Sequence, residues 1–339
     1  MLQGQYRLSL LTALLAFCVI LMGAYVRLSD AGLGCPDWPG CYGQLVVPET
    51  LPAVHPDDLE QVRPLHRGKA WKEMIHRYLA GTLGLMILLL AVQAWRNRGD
   101  PEQPRRLPVL LLGLVILQAA LGMWTVTLLV KPVIVTAHLL GGFATFTLLV
   151  LLALRLRRKT LFARFEWPKG LRRHARLALL VMIAQITLGG WTSTNYAALG
   201  CTDFPQCHTG QWWPETDFGE AFTLWRGLGI NYEFGVLEND ARSAIHLTHR
   251  IGALLTLLVI GSLALRLWVA PRGGLRGLGG GMGLLLAIQI ALGITNVLAH
   301  LPLPVAVAHN GVAALLLVTL TLVVSAVSSA ALSGPQGNP

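Results

Sequence analysis

The chain has 339 residues, of which 54% are hydrophobic and only 13% charged, with a mean hydropathy of +0.57. Soluble domains carry about 25% charged residues, so this composition excludes an ordinary soluble fold and points to lipid. The net charge of +10 would suggest nucleic acid in a soluble protein. Here the basic residues gather in short connections between apolar runs, which is the signature of cytoplasmic loops, and nucleic acid is not an expected partner.

A bilayer core of ~30 Å is crossed by about 20 apolar residues in a helix. Eight such stretches run along the chain, near 9–27, 74–95, 107–129, 133–154, 175–194, 244–268, 279–299 and 303–328. The first has too long an apolar core for a signal peptide, and Gly23-Ala-Tyr-Val-Arg27 after it offers no cleavage site, so it reads as a retained helix. Basic residues follow the second span (Arg96, Arg98, Arg105, Arg106), the fourth (Arg155, Arg157, Arg158, Lys159, Arg164, Lys169) and the sixth (Arg266, Arg272, Arg276). These loops and both termini are expected inside. Two long connections, 28–72 and 195–243, are rich in Pro, Gly and Trp, hold most of the acidic residues, and are expected outside with short helices of their own. Trp71, Trp95, Trp124, Trp191 and Trp268 near span ends fit an interfacial belt.

Of the five cysteines, Cys35 and Cys41 share the first outer loop, and Cys201 and Cys207 share the other long one. Both pairs fall on the oxidising side, where disulfides persist. Cys18 lies within the first span and reads as a small buried hydrophobe.

The chain repeats itself. Leu33-Gly-Cys-Pro-Asp-Trp-Pro-Gly-Cys41 resembles Leu199-Gly-Cys-Thr-Asp-Phe-Pro-Gln-Cys207, at an offset of 166. His76-Arg77 matches His249-Arg250 at 173, while Gln118-Ala-Ala-Leu-Gly122 and His138 match Gln289-Ile-Ala-Leu-Gly293 and His309 at 171. Unrelated apolar stretches would not keep one register over so many motifs. The expected fold is an all-α membrane protein of eight transmembrane helices, arranged as two tandem four-helix bundles related by a pseudo-two-fold axis along the membrane normal. The division is expected at 1–160 and 161–339.

Four of the ten histidines, His76, His138, His249 and His309, fall within about two turns of the outer ends of the even-numbered spans, roughly 5–12 Å deep at 1.5 Å per residue. An ionisable group within a span is a functional candidate by default. A single one could equally be a histidine bonded to a neighbouring helix, but that does not predict four at one depth in a repeated register. Paired imidazoles from two helices of a bundle suit the axial ligation of haem iron. Zinc or copper would more naturally gather closely spaced ligands. Small residues beside the histidines (Ala80, Gly81, Gly141, Gly142, Gly311) leave room for a planar group or serve close helix packing. Arg77 and Arg250 suit haem propionates or support of the site, or snorkel to lipid headgroups. The halves differ at Glu73, one turn before His76, whose counterpart before His249 is His246. His55, His66, His174, His208 and His300 lie in loops or at their edges, without an assigned role.

Taken together, Arg27-Leu-Ser-Asp-Ala-Gly-Leu-Gly-Cys-Pro-Asp-Trp-Pro39, Glu73-Met-Ile-His-Arg77, the His138 helix, His249-Arg250 and His309 resemble the haem A synthase family over almost the whole chain. The resemblance implies an oxidoreductase of the bacterial inner membrane that oxidises the C8 methyl of haem O to a formyl group, giving haem A for terminal oxidases. It implies haem B iron held by His249 and His309, substrate haem iron between His76 and His138, and a catalytic carboxylate at Glu73. It also implies disulfides Cys35–Cys41 and Cys201–Cys207, the first assisting haem delivery and the second structural. Expected partners are haem O, membrane lipid and, from the pathway, a haem O synthase; a homo-oligomer is compatible with the chain. The competing reading from the residues alone is a di-haem membrane cytochrome exchanging electrons with quinol, which four axial histidines fit equally well but which needs no Glu73. A haem transporter or chaperone is a third.

Overall fold

The computed structural model describes residues 2–51, 63–157, 170–270 and 273–332. Among them it has nine helices: α1 (Leu2–Leu28), α2 (Arg67–Arg96), α3 (Arg106–Thr127), α4 (Pro132–Leu156), α5 (Leu171–Thr194), α6 (Phe218–Ala221), α7 (Asn239–Trp268), α8 (Gly273–Leu298) and α9 (Leu303–Leu332). All but α6 are long and apolar enough to cross a membrane. Without water to satisfy the backbone, a chain of this hydropathy closes its hydrogen bonds within helices. Pro132 opens α4, at a position where a missing N–H costs nothing.

The spans expected to begin near 74 and 244 begin at Arg67 and Asn239 instead. Hydropathy marks only the apolar part of a helix; the added turns carry Arg67, Lys69, Lys72, Asp240 and Arg242, which suit water beyond the lipid. His76 and His249 therefore sit nearly three turns into their helices, deeper along them than His138 and His309 in α4 and α9. Of the short helices expected in the outer loops, only α6 occurs among the described residues. Cys18 is exposed on the outside of the bundle rather than buried. The inward face of α1 is carried by Ala13, Ala16 and Ile20, and residue 18 falls off that stripe.

Contacts link α1, α2, α3 and α4 in a ring and α5, α7, α8 and α9 in another. The rings meet through α1 with α9, α4 with α5, and α4 with α9. The boundary expected at 160/161 lies outside the described residues. One core runs through both rings, including Ile20, Phe143, Leu149, Ile260, Leu263, Leu316 and Leu320.

The backbone repeats with the sequence. Asp30 and Tyr196, 166 apart, both take left-handed φ values, of 50° and 54°. The turns into α4 and α9 repeat at 171, with left-handed Leu129-Val130 and His300-Leu301, and each is closed by a 2.7 Å bond, Val130 N–H to Thr125 O and Leu301 N–H to Asn296 O. Positions matched by the 166 offset also touch: Arg27 donates to the Ser193 carbonyl at 2.5 Å, and the Tyr196 hydroxyl to Asp30 at 3.0 Å. A pseudo-two-fold relation between the halves would bring equivalent positions together in this way.

The long outer connection of the second half lies over the first. Tyr232 N–H donates to Leu129 O at 3.1 Å, Arg63 pairs with Glu233 at 2.8 Å, and Tyr232 buries its ring with Leu33, Val126 and Val130. Lys131, only 2% exposed, donates to the Gly227 carbonyl with its ammonium 3.5 Å from the centre of the Trp225 ring.

Candidate functional site

His76 in α2 and His138 in α4 belong to one ring of helices, and His249 in α7 and His309 in α9 to the other. Each imidazole rests on a glycine of the preceding membrane helix. A Cβ on Gly23 would come 3.0 Å from His76 Cε1, one on Gly189 3.2 Å from His249 Cε1, one on Gly293 3.1 Å from His309 Cε1, and one on Gly122 3.5 Å from His138 Cε1. These glycines were not singled out from the sequence as partners of the rings. Their signal was present, because Gly23 and Gly189 obey the 166 offset and Gly122 and Gly293 the 171 offset. Of the small residues expected to make room, Gly81 and Gly142 face open space, whereas Gly141 and Gly311 are packed against Gln118 and Leu21.

The Nδ1 atoms of His76, His138 and His309 are buried without a protein partner. A buried imidazole nitrogen without a partner is costly, which sets these rings apart from histidines kept only for packing. Among the described residues, no three His, Cys, Asp or Glu side chains gather into a metal site. The donors come in pairs, a set that fits the two axial positions of haem iron. Glutamines flank the rings: Gln289 Nε2 is 3.2 Å from His309 Nε2, and Gln185 Nε2 is 3.1 Å from His249 Nδ1.

Above the rings, each cysteine loop sits directly on a helix. A Cβ on Gly34 would meet the Lys69 carbonyl carbon at 2.6 Å, and one on Gly200 the Arg242 oxygen at 2.5 Å, so only glycine permits this approach. The approach delivers a backbone N–H to the helix one turn further on. Cys35 N–H donates to Glu73 Oε2 at 2.8 Å, and Cys201 N–H to His246 Nδ1 at 3.0 Å. Both residues are 4% exposed. Disulfides join Cys35 to Cys41 and Cys201 to Cys207.

Arg77 pairs with Glu73 and donates to the carbonyls of Asp37 (2.9 Å), Pro39 (3.2 Å) and Gly40. Arg250 donates to Gln206 (2.9 Å), Asp203 (2.7 Å) and Cys201 (3.3 Å). Both arginines thus clamp the loop over their half. Burial pushes the Tyr42 phenol above its ordinary range, opposed by Arg63, which keeps it a neutral donor to the Arg63 and Pro64 carbonyls. Elsewhere, His174 Nε2 lies 3.0 Å from Val259 O and His208 Nδ1 lies 3.2 Å from the Thr202 hydroxyl; His55 is outside the described residues.

Glu73 is a buried carboxylate held one turn from a paired histidine, in one half only. The model of the cytochrome oxidase assembly protein family COX15-CtaA matches residues 6–321. A protein of Shewanella oneidensis named "Heme A synthase" is 47% identical over 92% of this chain and 93% of its own length. Proteins of the same name from Rhizorhabdus wittichii and Agrobacterium fabrum are 27% and 28% identical, over 92% and 89% of this chain and 90% and 84% of their own lengths. The chain belongs to the COX15-CtaA family of cytochrome oxidase assembly proteins.

Proposed function

We propose that the protein is a haem A synthase, an oxidoreductase that converts the methyl of haem O to the formyl of haem A. In this reading His76 and His138 hold the substrate haem, and His249 and His309 hold a resident haem B. The observation that carries the assignment is the Glu73 carboxylate, fixed by Cys35 N–H and Arg77 one turn from His76, where the other half has His246. The identity with the Shewanella oneidensis protein supports it.

The roles of the residues follow from their positions. The imidazoles bind and orient; the glycines beneath them set how far each ring reaches into the bundle. A resident haem at the second pair would supply a one-electron redox centre. Glu73 is placed to accept or relay a proton, or to stabilise positive charge as the methyl group is oxidised. Arg77 positions that carboxylate and pins the Cys35–Cys41 loop, which covers the site and excludes water. Arg250 supports the second site in the same manner. The orientation we infer has both termini in the cytoplasm and the histidines toward the outer face of the bacterial inner membrane, from the basic loops.

The test is the identity of the haem. Membranes containing the protein and supplied with haem O are extracted and their haems identified. Haem A is expected. Haem B unchanged in both sites would favour the di-haem cytochrome reading instead. Glu73→Gln is expected to abolish haem A; normal output from it would remove Glu73 from the mechanism.

A further inference from the structure

We propose that Gln185 makes His249 a retained ligand, and that the absence of its counterpart leaves His76 an exchangeable one. The proposal rests on the reading of these histidines as axial ligands, and it locates the difference between a resident and a passing haem in one side chain behind the ring.

Gln185 Nε2 lies 3.1 Å from His249 Nδ1 and 3.1 Å from the His249 carbonyl, while Gln185 Oε1 is buried with no partner. The amide therefore occupies the Nδ1 side of the ring. Its NH2 end donates to the carbonyl and faces Nδ1, so one amide ties the ring to its own backbone from behind. Such a partner behind a ligating histidine fixes the orientation of the ring.

The amide has a notch to sit in. A Cβ on Gly252 would stand 2.2 Å from Gln185 Oε1, so only glycine leaves the space. In the first half both features are missing. The 166 offset places Val19 where Gln185 stands, and the 173 offset places Leu79 where Gly252 stands. The register is secure, because Gly23 and Gly189, four residues further along α1 and α5, meet their histidines at 3.0 and 3.2 Å. An aliphatic pair thus replaces an amide and its notch, and His76 Nδ1 is left buried without a partner. The other ligand of each pair has a glutamine at the matched position in both halves, Gln118 and Gln289, although only Gln289 reaches its ring, at 3.2 Å from His309 Nε2, while Gln118 Nε2 is buried without a partner. A synthase needs this inequality: its product haem must leave one site while the haem of the other stays.

Haem loss is measured by transfer from the purified, haem-loaded protein to excess apomyoglobin, with the low-spin electron paramagnetic resonance signal recorded alongside. Gln185→Val is expected to speed loss from the second site by about 10–100-fold and to shift its low-spin signal. His249→Ala tests the underlying reading: if it keeps that haem with an unchanged signal, the ligand assignment fails. If His249→Ala loses the haem while Gln185→Val loses it no faster than wild type, the ligand assignment stands and the role of Gln185 is overturned. In the His249→Ala background, the double change Val19→Gln with Leu79→Gly is expected to slow loss from the first site. That gain cannot arise from misfolding, so it decides the matter even where Gln185→Val does not fold, and an unchanged rate overturns the proposal.

Discussion

Glu73 and His246 perform the same backbone task in the two halves. Each stands one turn before a paired histidine and accepts the N–H of the first cysteine of the loop above, at 2.8 and 3.0 Å. The task is structural in both halves, and only one of the acceptors can carry a negative charge. This separates what Glu73 does for the fold from what it does for chemistry.

Glu73→Ala should therefore lose both. It leaves Cys35 N–H and Arg77 without their buried acceptor, at about 2–3 kcal/mol, and should end haem A formation. Glu73→His should be less destabilised than Glu73→Ala, since histidine already accepts the cysteine N–H in the other half although it gives up the pair with Arg77, and should still make no haem A. Thermal unfolding in detergent, together with haem extraction, checks the pair. Turnover in Glu73→His would show that an acceptor, and not a carboxylate, is what the reaction needs.

Alanine at the four glycines beneath the rings should grade with the space each has. Gly23→Ala, Gly189→Ala and Gly293→Ala would press on the imidazoles at 3.0, 3.2 and 3.1 Å, and each should weaken haem retention by about ten-fold. Gly122→Ala meets its histidine at an ordinary 3.5 Å and should be mild; Gly81→Ala, with nothing nearby, should be silent. Haem content after purification, read from the Soret band against protein concentration, is the measurement.

These glycines show where sequence reasoning stopped. The eight apolar runs were legible because lipid imposes one length and one composition on every span. The four histidines were legible because an ionisable group within a span stands out. A glycine in a membrane helix does not stand out, and which ring it touches depends on how neighbouring helices cross. Gly141 lies one turn from His138, yet Gln118 fills the space beside it, and the glycine beneath the ring is Gly122 on another helix. The early starts of α2 and α7 were hidden for the opposite reason: their first turns are polar and leave no hydropathy signal.

Replacing Cys201 and Cys207 together by serine should cost about 2 kcal/mol, from the freedom returned to a short closed loop in the unfolded chain. The loop should stay seated, because Gly200, His246 and Arg250 still hold it. The expected result is a lower unfolding temperature with haem content preserved. Loss of haem at low temperature would mean that the disulfide itself, and not the clamp, seats the loop.

Lys131→Ala should loosen the connection that the second half lays over the first. It removes the contact with Trp225 and the bond to the Gly227 carbonyl, about 2 kcal/mol for a desolvated cation on an aromatic ring. Limited proteolysis from the outer face should then cut between Thr223 and Asn231 at enzyme levels that leave the wild type intact. An unchanged pattern would show that Tyr232 and Glu233 suffice to hold the segment.

Arg27 touches Ser193, and Asp30 touches Tyr196, each the residue its own position becomes in the other half. In a pair of identical halves such a position meets its own twin, so Arg27 would face Arg27 and Asp30 would face Asp30. Carrying both halves on one chain lifts that rule: a change on one side no longer forces the same change on the other. The seam records this freedom, and Glu73 against His246 and Gln185 against Val19 are the same freedom used away from it. Covalent linkage is what allows two copies of one design to specialise separately while sharing a single core.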